Sequence, residues 1–487
     1  ILADDMGCWA LGAAGNDEIH TPNLDKLASR GMRFENFFCA SPVCSPARAS
    51  ILTGYTPSQH GVLDWIASGN VDRERMERED IQNPYGGYVK EVKPIRYLNP
   101  GTTYTEQLAQ AGYQLALSGK WHLGDSFTPQ AGFSERWYTI GKGGACYFSP
   151  DIIEDGEISI RDTYVTDLFT QQALRYLDEL QDDPFYLAVH YTAPHAPWGP
   201  EHHYPEDLKL YEDCPFSHNP DVPDHAGLQV PPVYGTPVRR ENLTGYYAAI
   251  TAMDRGIGQI LDRLDALGLS DQTYVIFMSD NGMCMGHHGV WGKGNGTFPQ
   301  NMYEESIKVP CIMAGPDIAQ GVVNQQMLSQ LDIYPTLLEL AGLEPQEGPL
   351  PRAGRSFALS LQNPQAEPAG DDSDRAIICE EYGTTRMIRT ERDKFVRRIP
   401  WGPHEYYNLQ DDPQEEHNLF AEPKAQARIL ELSKQLSSWF ASYSDPIFDG
   451  SHQPVTGLGQ LDRLDGSAYR LDKFIHVSHV EGPKLHD

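Results

Sequence analysis

Basic residues are scarce in this chain: 38 Lys and Arg stand against 68 Asp and Glu in 487 residues, a formal charge of −30. That balance argues against a nucleic-acid partner, whose phosphates demand basic surface. An anionic substrate would need a local cluster of cations, or a metal, to overcome the long-range repulsion. Long apolar runs are missing as well. None approaches the ~20 residues that span a bilayer, and no signal peptide is visible. The eight cysteines (Cys8, Cys39, Cys44, Cys146, Cys214, Cys284, Cys311 and Cys379) show no C-x-x-C spacing. Cys311 and Cys379 lie in strand-like apolar runs and read as buried thiols, a pattern that leans towards a reducing, cytoplasmic compartment.

What is present is a β/α alternation in which strands end on polar residues. Ile1-Leu2-Ala3 reads as the end of a strand whose beginning is missing, and it delivers Asp4 and Asp5. Thr21 and Pro22 are placed to start a helix. A strand over 33–38 turns into Cys44-Ser45-Pro46-Ala47-Arg48. This strand-to-helix entry puts Cys44 where backbone N–H groups and the helix dipole favour an anion. A helix at 104–111 and a strand at 113–118 lead to Lys120 and His122, which would point the same way in an extended segment. A helix at 162–180 and a strand at 185–191 lead to His195, held between Pro194 and Pro197. A helix at 242–267 and a strand at 273–279 deliver Asp280 and Asn281, and Lys293 follows His287 and His288.

Each of these strand ends alone is as easily a solvated turn. In an open α/β sheet, however, ligands collect at the carboxyl ends of strands, and Asp4, Asp5, Asp280 and Asn281 form an oxygen-donor set suited to Ca²⁺. Residues 70–95 mix both charges and read as a solvated insertion. Residues 199–240, rich in Pro and His without periodicity, read as a lid or binding loop. After a helix at 332–341 and a crossing segment at 343–374 come four short strands, at 376–380, 386–389, 394–397 and 405–409. A helix at 424–442 would cover them, and the last ~40 residues read as an arm that must pack on something. The expected organisation is a large domain, 1–365, and a smaller one, 366–487.

The motifs D-D-M-G, C-S-P-A-R with its run to Thr53-Gly54, G-K-W-H-L-G, A-P-H, D-N-G, G-H-H-G with Lys293, Y-E-E-S-I-K-V-P and Y-N-L-Q-D-D-P occur in this order. Together they resemble the type I, formylglycine-dependent sulfatase family of the alkaline phosphatase-like superfamily. The resemblance implies an α/β fold: a large mixed, mostly parallel sheet flanked by helices, with a small C-terminal antiparallel sheet. It implies that a maturase oxidises Cys44 to formylglycine, that Asp4, Asp5, Asp280 and Asn281 hold Ca²⁺ together with that residue, and that Arg48, Lys120 and His122 hold and tune it. His195 and Lys293 would grip the sulfate and the bridging oxygen. One hydroxyl of the aldehyde hydrate would attack sulfur, and deprotonation of the other would expel sulfate.

A sulfated carbohydrate is the expected substrate, because Trp65, Tyr147, Trp198 and Trp401 could stack on sugar rings. Trp198, His202, Trp401 and His404 are expected to shape the leaving-group pocket. The rivals are an aryl or choline sulfatase, a phosphonate or phosphate monoester hydrolase of the same superfamily, and a catalytically silent binding protein.

Overall fold

The structure is a computed structural model that describes residues 1–72, 93–364, 375–465 and 471–475. Most of the mixed-charge insertion (73–92) and the expected domain boundary at 365/366 lie outside the described residues.

Ten strands form one sheet: β1 (Leu2–Ala3), β2 (Met32–Phe38), β3 (Gln114–Gly119), β4 (Arg136–Ile140), β5 (Asp151–Glu154), β6 (Glu157–Ile160), β7 (Phe185–His190), β8 (Val275–Ser279), β9 (Cys311–Ala314) and β10 (Val322–Ser329). Their order is β10-β2-β9-β8-β1-β7-β3-β4-β5-β6. Only β9 and β5 run against the rest, so the sheet is mixed but mostly of one direction. Successive residues of a strand face opposite sides: Ala116 joins the core on one face, while Leu115 and Leu117 join the core on the other. Helices Pro22–Ser29, Val165–Leu180 and Val238–Ala266 cover the first face, and Cys44–Thr53, Tyr104–Gln110 and Ile333–Leu340 the second. The middle helix of the first set buries Val165, Phe169, Ala173, Tyr176, Leu177 and Leu180, a spacing that gives one apolar stripe at 3.6 residues per turn.

A second sheet, β11 (Ile377–Glu381), β12 (Thr385–Arg389), β13 (Asp393–Arg398) and β14 (Glu405–Asn408), is antiparallel throughout. Helix Gln426–Ser442 lays Ile429, Leu432, Leu436 and Phe440 on Ile378, Ile388, Phe395 and Tyr406. Beyond it the arm packs where the Cys44 helix hands over to the next segment. Gln460 accepts from the Leu63 amide at 2.9 Å and donates to Gly61 O at 3.0 Å, and Asp64 accepts from the amides of Gly457 and Gly459.

Several expectations need correction. Thr103 caps its helix by a reciprocal pair with Glu106, but Thr21 makes no cap bond; its hydroxyl instead accepts from the Gly12 amide and donates to Asp25. Strands β4, β5, β6 and β10 have no counterpart in the sequence reading. They are short or carry Asn and Gln where alternation would place apolar residues, because they lie towards the sheet margins. The crossing segment contains a helix, Ala358–Gln362.

Candidate active site

The neighbouring strands β8, β1, β7 and β3 all end at the same edge of the sheet, so their terminal residues converge. β8 delivers Asp280 and Asn281, β1 delivers Asp4 and Asp5, the loop after β7 delivers His195, and β3 delivers Lys120. The approach of β3 to β7 depends on Gly119, at φ 126°, where a Cβ would lie 1.9 Å from His190 O. The amide of Lys120 then bonds that same carbonyl at 2.8 Å. β2 leads into helix Cys44–Thr53, whose ten residues are all buried, so Cys44 sits in its first turn and Arg48 one turn further in.

Contacts tie these groups into one network. Cys44 Sγ lies 3.3 Å from Asp4 Oδ1 and 3.7 Å from Asp5 Oδ1, and receives a bond from Lys293 Nζ at 2.7 Å. Lys293 also bonds Asp5 and is 3.5 Å from Asn281 Oδ1. Lys120 Nζ reaches Asp4 Oδ2 at 2.5 Å. Arg48 donates to Asp280 Oδ2 at 2.9 Å and to Lys120 O at 3.0 Å. Asn281 Nδ2 donates to Asp5 Oδ1 at 2.8 Å, and His195 Nε2 stands 3.7 Å from Asp5 Oδ2. Three buried carboxylates thus meet three buried cations, which is how an acidic protein makes a local site for an anion.

Burial alone would raise Asp4, but Lys120, His195, Arg48 and Lys293 together hold its carboxyl well below the usual range. Asp5 is lowered in the same way, against its burial, chiefly by Lys293 and His195. Asp280 is instead pushed up to about 6 by burial and by Asp4. Burial and then Asp4 push the Cys44 thiol well above its ordinary value, and burial with Lys120 and Arg48 holds His122 far below that of a free imidazole. Oxygens of Asp4, Asp5 and Asp280 all lie within 4.8 Å of one another. A set made only of carboxylate oxygens, with the Asn281 amide beside it, fits a hard divalent cation.

His122 reaches the site by another route than expected. β3 ends at Gly119 and His122 has φ 54°, so the segment is not extended and the two side chains do not share a strand face. Lys120 turns to Asp4, while His122 Nε2 bonds Ile66 O at 3.1 Å. A carbonyl only accepts, so Nε2 carries the hydrogen. Nδ1 is left as an acceptor, buried and without a partner among the described residues.

Other supports come from positions that no motif marks. Tyr246 Oη accepts from the Gly7 amide at 3.0 Å and donates to Asp5 O at 2.9 Å. Gln330 donates to Ser279 O and Asp280 O, clamping the end of β8. Tyr147 is no sugar platform: it is buried and donates to His195 O at 2.9 Å. A cavity of about 620 Å³ lies behind the site, lined by Phe185–His190, Val275, Ile276 and, from the site itself, Arg48, but not by Cys44.

A sulfatase family profile matches residues 1–343, the whole span that carries this constellation. The chain belongs to the sulfatase family. It is therefore an enzyme that hydrolyses sulfate esters. A second profile, described as the C-terminal part of N-sulphoglucosamine sulphohydrolase, matches residues 286–441 and so reaches across the small sheet. The sulfatase is 25% identical to N-acetylglucosamine-6-O-sulfatase of Bacteroides thetaiotaomicron, over 91% of this chain and 86% of that protein. It is 28% identical to choline-sulfatase of Rhizobium meliloti, over 87% and 82%. Its fold matches a solved structure in complex with D-glucosamine-2-N,6-O-disulfate, with a TM-score of 0.72 at 24% identity, covering 92% of this chain and 98% of the other.

The four residues expected to shape the leaving-group pocket of the sulfatase differ in what holds them. Trp198 Nε1 donates to Pro194 O at 2.8 Å and its ring meets Tyr246 edge-on, so it props the His195 loop from inside. His202 pairs with Glu201 at 3.2 Å. His404 accepts from the Arg398 amide and packs on Phe420 and Phe395, within the small sheet. Trp401 alone is free, at 90% exposure.

Proposed function

We propose that this sulfatase acts on a sulfated carbohydrate and does so through a formylglycine made from Cys44. The observation that carries the reading is the convergence of Lys293, Lys120, Arg48 and His195 on the Cys44 side chain and the carboxylates around it. A buried, high-pKa thiol is a poor nucleophile, which fits a residue that is converted before use. Once modified, Cys44 supplies an aldehyde hydrate, with one hydroxyl to attack sulfur and a second to release the product. Asp4, Asp5, Asp280 and Asn281 are the residues that would hold Ca²⁺, which when bound neutralises charge on the sulfate oxygens.

The chain's own groups do the rest. Lys120 and Arg48 keep the carboxylates in place from behind. Lys293 and His195 face the sulfate from the open side, His195 being the more exposed of the two, and either can protonate the departing alcohol oxygen. His122, neutral and with a free Nδ1, is suited to take the proton from the second hydroxyl. The catalytic unit is assigned to residues 1–365, with 366–487 bracing it.

A carbohydrate is favoured over choline by Trp401, an indole face offered to solvent on a turn of the small sheet. The test is sulfate release by the matured enzyme from defined sulfated mono- and disaccharides, choline sulfate, aryl sulfates and a phosphonate monoester. A kcat/KM for one saccharide at least about tenfold above all the others supports the reading. Preference for choline sulfate or for the phosphonate ester overturns it.

A further inference from the structure

The last residue of β11 is spent in an unusual way. Glu381 is fully buried, and among the described residues neither of its carboxyl oxygens has a hydrogen-bond partner. Buried polar groups are ordinarily paired, and an exception in a native fold calls for a reason. Position supplies one. A Cβ on Gly294 would lie 2.3 Å from Glu381 Oε2 and 2.5 Å from Pro42 Cγ, so the carboxyl, Pro42 and Gly294 are packed together. Pro42 lies on the segment that leads into Cys44, and Gly294 directly follows Lys293. β11 is itself fastened to that first segment: the Glu380 amide bonds Ala40 O at 3.1 Å and Cys379 Sγ donates to Cys39 O at 2.7 Å.

The residue after the strand, Tyr382, has a left-handed backbone, φ 48°, with its ring against Gly457 of the arm and its hydroxyl buried without a hydrogen-bond partner among the described residues. A strained, buried turn with an unpaired acid is costly to hold by packing alone. What it achieves is contact with both loops that form the Lys293 to Cys44 bond. Burial, as the largest influence, pushes the Glu381 carboxyl well above the usual carboxylate range.

We propose that Glu381 is a positioning residue of the active site: its carboxyl sets the separation of the Cys44 and Lys293 loops, and through it the small C-terminal sheet controls the reach of the Lys293 ammonium. The inference rests on Cys44 and Lys293 acting as proposed above.

The experiment compares Glu381→Ala, Glu381→Gln, Glu381→Asp and Lys293→Ala with the parent in the full chain, on 4-nitrophenyl sulfate. Rates are normalised to formylglycine content by mass spectrometry and to folded fraction by circular dichroism. Glu381→Ala and Glu381→Asp are expected to lower kcat about tenfold or more with KM nearly constant, since a misplacement near 1 Å is costly in rate. Glu381→Gln, with the same shape, is expected to stay within about threefold of the parent. If Glu381→Ala does not fold, the Gln and Asp variants decide by themselves. A parent-like kcat in Glu381→Ala or Glu381→Asp, or a Gln variant as slow as the Ala variant, overturns the proposal. An unimpaired Lys293→Ala would instead sink the reading of the site itself.

Discussion

Lys293 Nζ lies 2.7 Å from Cys44 Sγ and at the same time bonds Asp5, so one buried ammonium is shared between the cysteine and a carboxylate at the end of β1. Burial tends to strip its proton, but Asp5, Cys44 and Asp4 lift its pKa well above the ordinary lysine value, so it stays charged. A fixed charge of this kind, aimed where negative charge develops, is worth roughly 10²–10³ in rate. Lys293→Ala is therefore expected to lower kcat by about that factor with formylglycine content unchanged. Steady-state kinetics combined with mass spectrometry check it.

Cys44→Ser should leave fold and calcium affinity largely intact while abolishing multiple turnover. A serine has one hydroxyl, so it can accept the sulfuryl group but has no second hydroxyl to expel it. Rapid-quench release of the alcohol is expected to stop at no more than one equivalent per enzyme, with the sulfuryl group retained on the serine. Sustained turnover near the parental rate would remove formylglycine from the mechanism.

Asp280→Asn is expected to lose calcium and activity together. Its carboxylate faces Arg48 on one side and lies within 4.8 Å of Asp4 and Asp5 oxygens on the other. Replacing an anionic donor by a neutral amide weakens a hard-cation site, and it also removes the nearer of the two carboxylates that face Arg48. Calorimetric titration of chelated protein should show calcium affinity reduced by about tenfold or more. Parental activity after exhaustive chelation would count decisively against a metal at this position.

The strand ends were legible because each combines an apolar run with an abrupt polar residue, and topology then brings β8, β1, β7 and β3 side by side. Nothing local marks Glu381, Tyr246 or Gln330. Each acts through a contact with chain far away in sequence, Tyr246 with Asp5 and Gln330 with Asp280, and periodicity carries no such information. Lys120 and His122 show the reverse failure, where a correct pair of residues rested on an incorrect alternation, because the backbone leaves the strand at Gly119. The C-terminal strands were read almost to their ends, each being a short run with apolar residues on both faces: Ile378, Ile388 and Phe395 lie under the last helix, and Cys379, Met387 and Val396 in the core of the large sheet.

Acid should weaken the fold partly through His60, whose ring nitrogens contact the Ser50 hydroxyl at 3.0 Å and the Val62 amide at 3.1 Å. Burial lowers its pKa to about 3. The unfolded chain binds the proton near pH 6.5 and the folded one does not, so this group's contribution is complete above about pH 6.5 and is lost as pH falls towards 3. Buried acids with raised values, such as Asp64 at about 7, act in the opposite sense, so the contribution is isolated by comparison with His60→Gln. The stability gap between parent and variant, from urea unfolding, is expected to narrow from pH 7 to pH 5. A gap independent of pH would show that His60 titrates alike in both states.

Specificity provides the final test, because the four residues that the sequence put together differ in exposure and in contacts. Trp401 exposes nearly its whole ring, whereas His404 is held by the Arg398 amide and by Phe420. Trp401→Ala should then remove only what a sugar ring beyond the sulfated unit would gain by stacking, about 1 kcal/mol, hence roughly fivefold in KM for an oligosaccharide. A small aryl sulfate, which does not extend that far, should show no change. His404→Ala is expected to lower the thermal midpoint by a few degrees, through loss of about 1 kcal/mol of packing and hydrogen bonding, with KM unaltered for both substrates. Trp198→Ala should slow both substrates alike, since its indole supports the carbonyl of Pro194, next to His195. If Trp401→Ala leaves oligosaccharide KM unchanged while His404→Ala raises it, the pocket lies along the His404 face of the small sheet, and the exposed indole is surface alone.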